Sequence, residues 1–169
     1  MKRCLLILIC ALALLSAVSC GSTPAQNDIV AWRSDVELDS LASSLDSCLA
    51  IDLQYMEDAE DDWYDYVLCA DRSLYESGLV RSSAKDSDIS EYGIFKAGEG
   101  QDTAKIADMI KAYVKVRQDN WDDRYLKDQH PKLLSASVFT CGDYVFYTIL
   151  SDSEKTAFEA TAKTLLKAE

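Results

Sequence analysis

The chain has 169 residues, enough for one ordinary domain, and 29 acidic residues against 17 basic ones give it a formal net charge of −12. Such a surface repels the phosphates of nucleic acids, so nucleic-acid binding is excluded as a function. The single histidine, His130, would have to serve any serine or cysteine triad as its base, and a zinc site would need further His or Cys ligands. Composition therefore favours neither kind of site.

The first twenty residues have the features of an export signal. Lys2 and Arg3 precede an unbroken apolar or small-residue run over residues 4–18, which is short for a bilayer span of about 20 apolar residues. Small residues at 16–19 then lead to Cys20, as in a bacterial lipobox, where the cysteine receives a diacylglyceryl group before cleavage. We predict a lipoprotein signal peptide over residues 1–19 and lipidation of Cys20. The alternative is an ordinary signal peptide with a chance cysteine.

Lipid attachment explains how so acidic a protein would stay at a membrane. Cleavage before Cys20 removes two of the 17 basic residues and brings the net charge to about −14. Anionic headgroups repel that charge, whereas two or more acyl chains anchor a protein stably, at about 0.8 kcal/mol per buried CH₂. We predict a protein on the extracytoplasmic face of the cell membrane, with residues 20–33 as lipidated cysteine and tether and residues 34–169 as a single domain.

Three cysteines remain in the predicted domain, at Cys48, Cys69 and Cys141. An odd number outside the reducing cytosol leaves at least one thiol without a partner, and Cys48–Cys69 is one disulfide that the sequence allows. Their spacing fits no metal motif, and each cysteine lies in an apolar stretch. We therefore favour free, buried cysteines over a disulfide.

The first predicted helix covers about residues 35–50. Ser34 and Glu37 have the spacing of a capping box, and the apolar stripe that follows consists of Leu38, Leu41, Leu45, Cys48 and Leu49. Residues 51–88 mix charged and aromatic side chains without a dominant period. We expect short helical turns and loops there, with Gly78 and residues 82–88 as connections.

Regular structure returns at residue 89. An apolar and aromatic run over residues 89–97 predicts a strand, and a long helix follows over about residues 102–125, capped by Asp102 or Thr103. Its predicted buried face is traced by Ile106, Met109, Ile110, Tyr113, Val116 or Arg117, and Trp121. A second capping box, Ser151 with Glu154, starts the last helix. The inner side of that helix carries Phe158, Thr161, Ala162, Leu165 and Leu166.

Residues 136–140 and 144–150 are two strand-like runs joined by Gly142-Asp143, and a glycine in first place suits a two-residue hairpin turn. That turn would pair Cys141 with Tyr144, Phe139 with Phe146 and Val138 with Tyr147. The order strand, helix, strand, strand, helix predicts an α+β domain. We expect an antiparallel or mixed three-stranded sheet with the helices on one face, preceded by the N-terminal helix.

Three segments occur in an order that resembles a known family. They are residues 91–96 (Glu-Tyr-Gly-Ile-Phe-Lys), the long helix leading to residues 124–126 (Arg-Tyr-Leu), and residues 142–146 (Gly-Asp-Tyr-Val-Phe). Over about residues 50–165 the chain resembles the bacterial lipoproteins catalogued as domain of unknown function 4358. Lys127 occupies a position where members of that family often have proline, and Pro131 comes later. The loop after the long helix is therefore expected to differ in shape from that of the family. The resemblance implies a lipoprotein signal followed by one domain, with no established activity and no catalytic residue to carry over.

The segment over residues 57–65 combines acids with aromatic rings. Trp63, Tyr64 and Tyr66 would form a sugar-stacking platform if exposed together, although such residues more often pack in a core. Oxygen ligands of the kind that calcium prefers come from Asp58, Glu60, Asp61, Asp62 and Asp65. The EF-hand glycine turn and final glutamate are missing, so we favour a solvated surface over a calcium site. Glu91, just before an apolar strand, is either a structural hydrogen-bonding group or an interaction residue, and we favour the first.

The sequence contains no catalytic motif, so we predict no catalytic residue, no metal and no cofactor, with His130 in a solvated loop. The leading hypothesis is a non-enzymatic binding or scaffolding module that contacts another envelope protein. The alternative is a ligand-binding domain for a cell-wall sugar, peptide or cation, through the aromatic and acidic segment. An envelope hydrolase is the third hypothesis.

Overall fold

The structure is a computed structural model that describes residues 30–122 and 124–169. The predicted signal peptide, Cys20 and most of the tether lie outside those residues. Five α-helices are present in the described part: α1 Leu38–Asp46, α2 Asp61–Tyr66, α3 Thr103–Asp119, α4 His130–Leu134 and α5 Asp152–Leu166. The strands are β1 Met56–Asp58, β2 Ser77–Ser83, β3 Glu91–Lys96, β4 Ser137–Cys141 and β5 Tyr144–Ile149. Short 3₁₀ turns occupy Leu53–Tyr55 and Arg72–Leu74.

The strands form one antiparallel sheet in the order β1-β2-β3-β5-β4. The predicted α+β class is confirmed, and β3, β5 and β4 are the three predicted strands. The prediction of only three strands is wrong, because β1 and β2 extend the sheet beyond β3. In β2 only Leu79 and Val80 are large apolar residues, and they are adjacent in sequence. The segment therefore lacks the alternation of apolar and polar residues that predicts a strand.

Helices cover both faces of the sheet, so the prediction that they share one face is wrong. α3 packs on one face with Val80, Phe95 and Tyr147. α1 and α5 pack on the other face, against a set that includes Leu79, Tyr92, Ile94 and Phe146. Consecutive residues of a strand point to opposite faces, and every residue of β5 is buried. A strand that is apolar on both sides needs a covering layer on each side.

The β4–β5 hairpin is confirmed with its predicted register. Cys141 pairs with Tyr144, Phe139 with Phe146, and the Phe rings stack with centroids 4.9 Å apart. Gly142 has a φ of +58°, in the left-handed region that favours glycine. A Cβ there would also lie 2.6 Å from the Cβ of Trp32, so glycine lets the N-terminal segment cross the hairpin tip.

The helix boundaries differ from the predictions at two places. α1 begins at Leu38 with Glu37 as N-cap, so the predicted capping box at Ser34 is wrong. The preceding residues are held instead by the hydroxyl of Tyr144, which donates to the carbonyl of Val36 and accepts from its N–H. α3 begins at the predicted cap, Asp102, but ends six residues earlier than expected, at Asp119. The second capping box, at the start of α5, is confirmed.

The three cysteines of the domain form no disulfide within residues 30–122 and 124–169. Cys141 is buried and Cys48 is half-buried, in agreement with the favoured prediction. Cys69 is exposed with a φ of +51°, so its predicted burial is wrong. It follows α2 at a turn, where the backbone N–H of Ala70 donates to the carbonyl of Tyr64 and turns the chain away from the helix.

The N-terminal segment joins the domain beside its C-terminus. Trp32 forms an isolated antiparallel bridge with Lys167, and the N–H of Ala168 donates to the carbonyl of Ala31. The entry point of the chain is therefore fixed to the end of α5 and to the hairpin tip. Across residues 30–122 and 124–169, no helix has the length and apolar character needed to cross a membrane.

Candidate functional site

Glu91 lies at the start of β3 and is 4% exposed. One of its carboxylate oxygens accepts hydrogen bonds from the hydroxyls of Tyr113 and Tyr147, each at 2.8 Å. The other oxygen lies 2.6 Å from the guanidinium of Arg117. That guanidinium also donates to the hydroxyl of Tyr113 at 2.8 Å, which closes the network. We call these four residues the Glu91 network.

Backbone geometry explains how the four side chains meet. Tyr113 and Arg117 are one turn apart on α3 and so lie on the same side of that helix. Tyr147 on β5 is opposite Gly93, two residues after Glu91 and on the same face of β3. A Cβ at Gly93 would lie 2.2 Å from the Tyr147 ring, so the ring occupies the space that glycine leaves.

Electrostatics within the Glu91 network follow from burial and from the carboxylate. Burial raises the pKa of Tyr113 and the pKa of Tyr147, and the charge of Glu91 raises both further. Burial alone would lower the pKa of Arg117, but the carboxylate of Glu91 reverses that effect and raises it. Both tyrosines therefore remain protonated donors and Arg117 remains a cation at neutral pH. The geometry supports a structural role, in which every oxygen of a buried acid is directed at protein donors.

A second polar network lies on the opposite face of the sheet. The hydroxyl of Tyr92 donates to Asp46 at 2.6 Å, and the guanidinium of Arg81 contacts both Asp46 and Asp58. The side chains of Asp46 and Arg81 are 14% and 19% exposed, whereas that of Asp58 is 60% exposed. We call these four residues the Tyr92 network, which reaches solvent through Asp58.

The three aromatic residues of the predicted platform do not share an exposed face. Tyr64 is buried, and the half-buried Trp63 packs edge-to-face against Tyr64 and Tyr113, with ring centroids 5.5 Å apart in each case. Tyr66 is 82% exposed and faces solvent. Two of the three rings are thus committed to packing between α2 and α3.

The acidic segment is partly neutralised by two arginines. Arg72 pairs with Asp61 and Asp65, at 3.0 and 2.9 Å, and Arg81 pairs with Asp58. The two Arg72 pairs are exposed, and pairs of this kind contribute about 0 to 1 kcal/mol each. Within the described residues, no three His, Cys, Asp or Glu side chains are grouped so that they could hold a metal ion.

A groove runs along β2 on the side that β1 leaves uncovered. Two adjoining clefts, of about 380 and 300 Å³, share Tyr64, Ser77 and Gly78. The first is bordered by the start of α1 and by Asp58, and the second by Asp61, Arg72, Tyr75 and Glu76. We call this surface the β2-edge groove. Its border carries five carboxylates and one guanidinium: Glu37, Asp39, Asp58, Asp61, Glu76 and Arg72.

Two tyrosines, Tyr64 and Tyr75, line the β2-edge groove. Tyr64 donates to the carbonyl of Gly78 at 3.3 Å, and burial raises its pKa to about 12, so it is a donor at neutral pH. The hydroxyl of Tyr75 is buried and has no hydrogen-bond partner among the described residues. A buried polar atom without a partner is unusual in a folded protein and calls for an explanation.

His130 begins α4 and is half-buried, so its predicted place in a solvated loop is wrong. Its ring stacks on that of Trp121, with centroids 5.0 Å apart and planes inclined by 7°. Pro131 lies in the first turn of α4 and favours a helix start at this point, so His130 becomes the first residue of that helix.

Sequence reasoning identified Glu91 and Tyr64 but missed the β2-edge groove. Gly78 was expected to be a connection, and Tyr75, Glu37 and Asp39 were not singled out. The only sequence signal was the apolar pair Leu79-Val80 after a glycine, which is compatible with a strand buried on both faces. The groove itself depends on the exposed side of β2, which periodicity does not reveal.

Comparison with known proteins gives one match. Residues 50–150 match the model of a family described as a domain of unknown function, DUF4358. Those residues run from the end of the α1 region through β5 and include both polar networks except Asp46. No curated protein and no solved structure matches the chain. The family that the sequence resembles is thereby confirmed, and the chain belongs to the DUF4358 family.

Proposed function

We propose that this protein is a lipid-anchored binding module on the extracytoplasmic face of the cell membrane, where it holds another envelope component without acting on it chemically. The observation that carries the proposal is the N-terminal pattern of two basic residues, an apolar run over residues 4–18 and Cys20 behind small residues. This pattern supports export and lipid attachment together.

The position of the chain entry supports the same proposal. The folded part begins near Trp32, fixed against Lys167, and Cys20 lies only about a dozen residues before it. A fully extended chain spans about 3.4 Å per residue, so the domain would be held within about 40 Å of the lipid surface. An acidic domain on so short a tether suits the capture of a neighbouring component.

Binding rather than catalysis is favoured by how the polar groups are used. The buried acid Glu91 accepts hydrogen bonds from protein donors at both oxygens, and His130 stacks on Trp121. The β2-edge groove, in contrast, has carboxylates at its border, and Tyr75, which lines it, has a buried hydroxyl without a partner among the described residues. Such a surface suits recognition of a cationic or hydrogen-bonding partner.

Cross-linking in intact membranes tests the proposal. The tagged full chain and its Cys20→Ala variant are cross-linked in the native cell, and captured proteins are identified by mass spectrometry. We expect a reproducible envelope partner with the parent chain and its loss with the variant, which would be released from the membrane. Membrane localisation without any captured partner would contradict the scaffolding role.

A second candidate is direct binding of a cell-wall sugar, peptide or cation. The observation that favours it is the groove beside Tyr64, which lies in the aromatic and acidic segment. Thermal-shift screening of the full chain distinguishes this candidate, because a ligand at 100 times its dissociation constant adds about 2.7 kcal/mol of stability. A shift with a muropeptide or a cation, in the absence of any protein partner, would favour it over scaffolding.

A further inference from the structure

We propose that the β2-edge groove binds an extended, basic peptide segment of a partner protein, which adds to β2 as a further antiparallel strand. This inference deepens the proposed function by naming the surface and the chemistry of the partner. It rests on three observations: the edge of β2 that β1 leaves uncovered at Gly78, the buried Tyr75 hydroxyl that has no partner among the described residues, and two exposed carboxylates, Glu37 and Asp39, that form no ion pair there.

The direction of the backbone groups in β2 shows which positions are open. In an antiparallel ladder, the N–H and C=O of one residue point to the same neighbouring strand. The N–H of Ala59 donates to the carbonyl of Val80 at 2.8 Å, so Val80 faces β1. Gly78, two residues earlier, faces the same side, as the hydrogen bond from Tyr64 to its carbonyl also shows.

β1 does not extend far enough to cover Gly78. It pairs with Arg81, Ser82 and Ser83, and the single further bond from Ala59 ends the ladder at Val80. α2 follows β1, and the hydroxyl of Tyr64 on α2 reaches the carbonyl of Gly78. Ser77 and Gly78 line the clefts on either side of that ring. An added strand would therefore continue the ladder where β1 stops, in the manner of β-strand addition.

One buried polar group beside the groove lacks a partner among the described residues. Tyr75 lines the same cleft as Gly78, with a ring carbon 3.3 Å from the position of a Cβ on that glycine, and its hydroxyl is buried. Binding that turns this ring toward the added strand would give the hydroxyl a peptide carbonyl or N–H as its partner.

Charge selects a basic partner and disfavours a second copy of this chain. Glu37 and Asp39 are exposed, and neither takes part in any ion pair among the described residues. They lie at the start of α1, which packs on one face of the sheet. Every second side chain of an added strand points to that same face, so basic residues at alternate positions could meet both acids. Two copies joined at this edge would bring carboxylates together.

A short synthetic peptide tests the proposal with the full chain in detergent. The probe is the acetylated heptapeptide Lys-Thr-Lys-Thr-Lys-Thr-Lys, followed by calorimetry at low salt. We expect saturable binding that weakens at least tenfold when the lysines are replaced by glutamate. Two further probes carry N-methyl groups on alternate residues, either on the lysines or on the threonines. Because only one set of N–H groups would face β2, one of these probes should lose at least tenfold in affinity and the other should not.

Charge variants of the protein provide the matched control. Glu37→Lys with Asp39→Lys should weaken binding of the heptapeptide at least tenfold, and the milder Glu37→Gln with Asp39→Asn pair severalfold. Asp86→Lys with Asp128→Lys makes the same change in net charge at exposed positions at the other end of the sheet and should retain binding. Circular dichroism melting checks that each variant is folded.

The outcomes separate this inference from the proposed function. Equal affinity for both N-methylated probes, or equal weakening by both pairs of charge reversals, would overturn strand addition and leave only diffuse charge attraction. Absence of binding to the heptapeptide would overturn the inference as well. If membrane cross-linking still captured a partner in that case, the anchored binding module would stand and its partner would contact another surface.

Discussion

Each face of the sheet has a polar side chain of β3 beneath a helix, and the two faces differ in how that side chain is hydrogen-bonded. Neighbouring residues of β3 begin the two networks: Glu91 points to the face under α3, and Tyr92 to the face under α1 and α5. The Glu91 network is closed and buried, whereas the Tyr92 network continues through Arg81 to the exposed Asp58 at the groove border. The Glu91 network is suited to stabilising the fold. The Tyr92 network ends at the border of the groove, where a bound ligand would contact Asp58.

The largest loss of stability is expected from a substitution of Glu91. Glu91→Ala leaves Arg117 and two tyrosine hydroxyls without their acceptor in a buried site, and we expect a loss of about 3 kcal/mol in the free energy of unfolding. Urea denaturation followed by circular dichroism measures it. Glu91→Gln, which keeps the size and one acceptor oxygen, should lose less. A loss of under about 1 kcal/mol for the alanine variant would show that the network is not a structural anchor.

A smaller loss is expected at the matching acid of the other face. Asp46→Ala removes the acceptor of the Tyr92 hydroxyl, but Arg81 keeps its pair with Asp58. The side chain of Asp46 is also more exposed than that of Glu91. We expect a loss of about 1 to 2 kcal/mol by the same urea measurement. Asp58→Ala, at the exposed end of the network, serves as the control and should cost at most about 1 kcal/mol. Equal losses at Asp46 and Glu91 would remove the distinction between the two networks.

The helix layer over the Tyr92 face can be weakened by itself at the start of α5. The Ser151 side chain accepts from the backbone N–H of Glu154, and the Glu154 side chain accepts from that of Ser151. Ser151→Ala should therefore lower the free energy of unfolding by about 1 kcal/mol. Thermal melting measures the effect, and Thr156→Ala, at an exposed position of the same helix away from the cap, is the control. An unchanged melting temperature for Ser151→Ala would show that the box contributes little.

The smallest predicted effect is a dependence on pH beside the Glu91 face. Burial would raise the pKa of Asp88, but hydrogen bonds from Lys132 and Ser90 outweigh it and hold the pKa below its ordinary value. A carboxyl with a lowered pKa in the folded state stabilises the fold above its unfolded pKa, and this contribution is lost as the pH falls through the folded value. Asp88→Asn should therefore flatten the loss of stability below about pH 4. An unchanged acid profile would contradict this assignment.

The sequence predicted those elements in which local signals and tertiary packing agree. The hairpin register followed from Gly142 and two apolar runs, and the start of α5 followed from its capping box. The strand β2 was missed because its two large apolar residues, Leu79 and Val80, face opposite helix layers and leave no alternation to read. The second helix layer was missed although β5 is apolar on both sides, a pattern that calls for a covering layer on each face.

The candidate site was less predictable than the fold. Glu91 stood out as an acid before an apolar strand, but its donors come from α3 and β5 and no spacing relates them. The groove arises because β1 is only three residues long and leaves Gly78 uncovered, a consequence of where α2 begins. A strand edge and its border charges are brought together by the tertiary structure, so sequence patterns do not reveal them.

The intact mass of the mature protein, extracted from the membranes of its own host, shows whether the lipid anchor exists. We expect a chain that begins at Cys20 and carries a diacylglyceryl group on that thiol, and we expect Cys20→Ala to abolish both the lipid mass and membrane retention. A mature chain that begins at another residue, or one in which Cys20 carries no lipid, would contradict the anchored module.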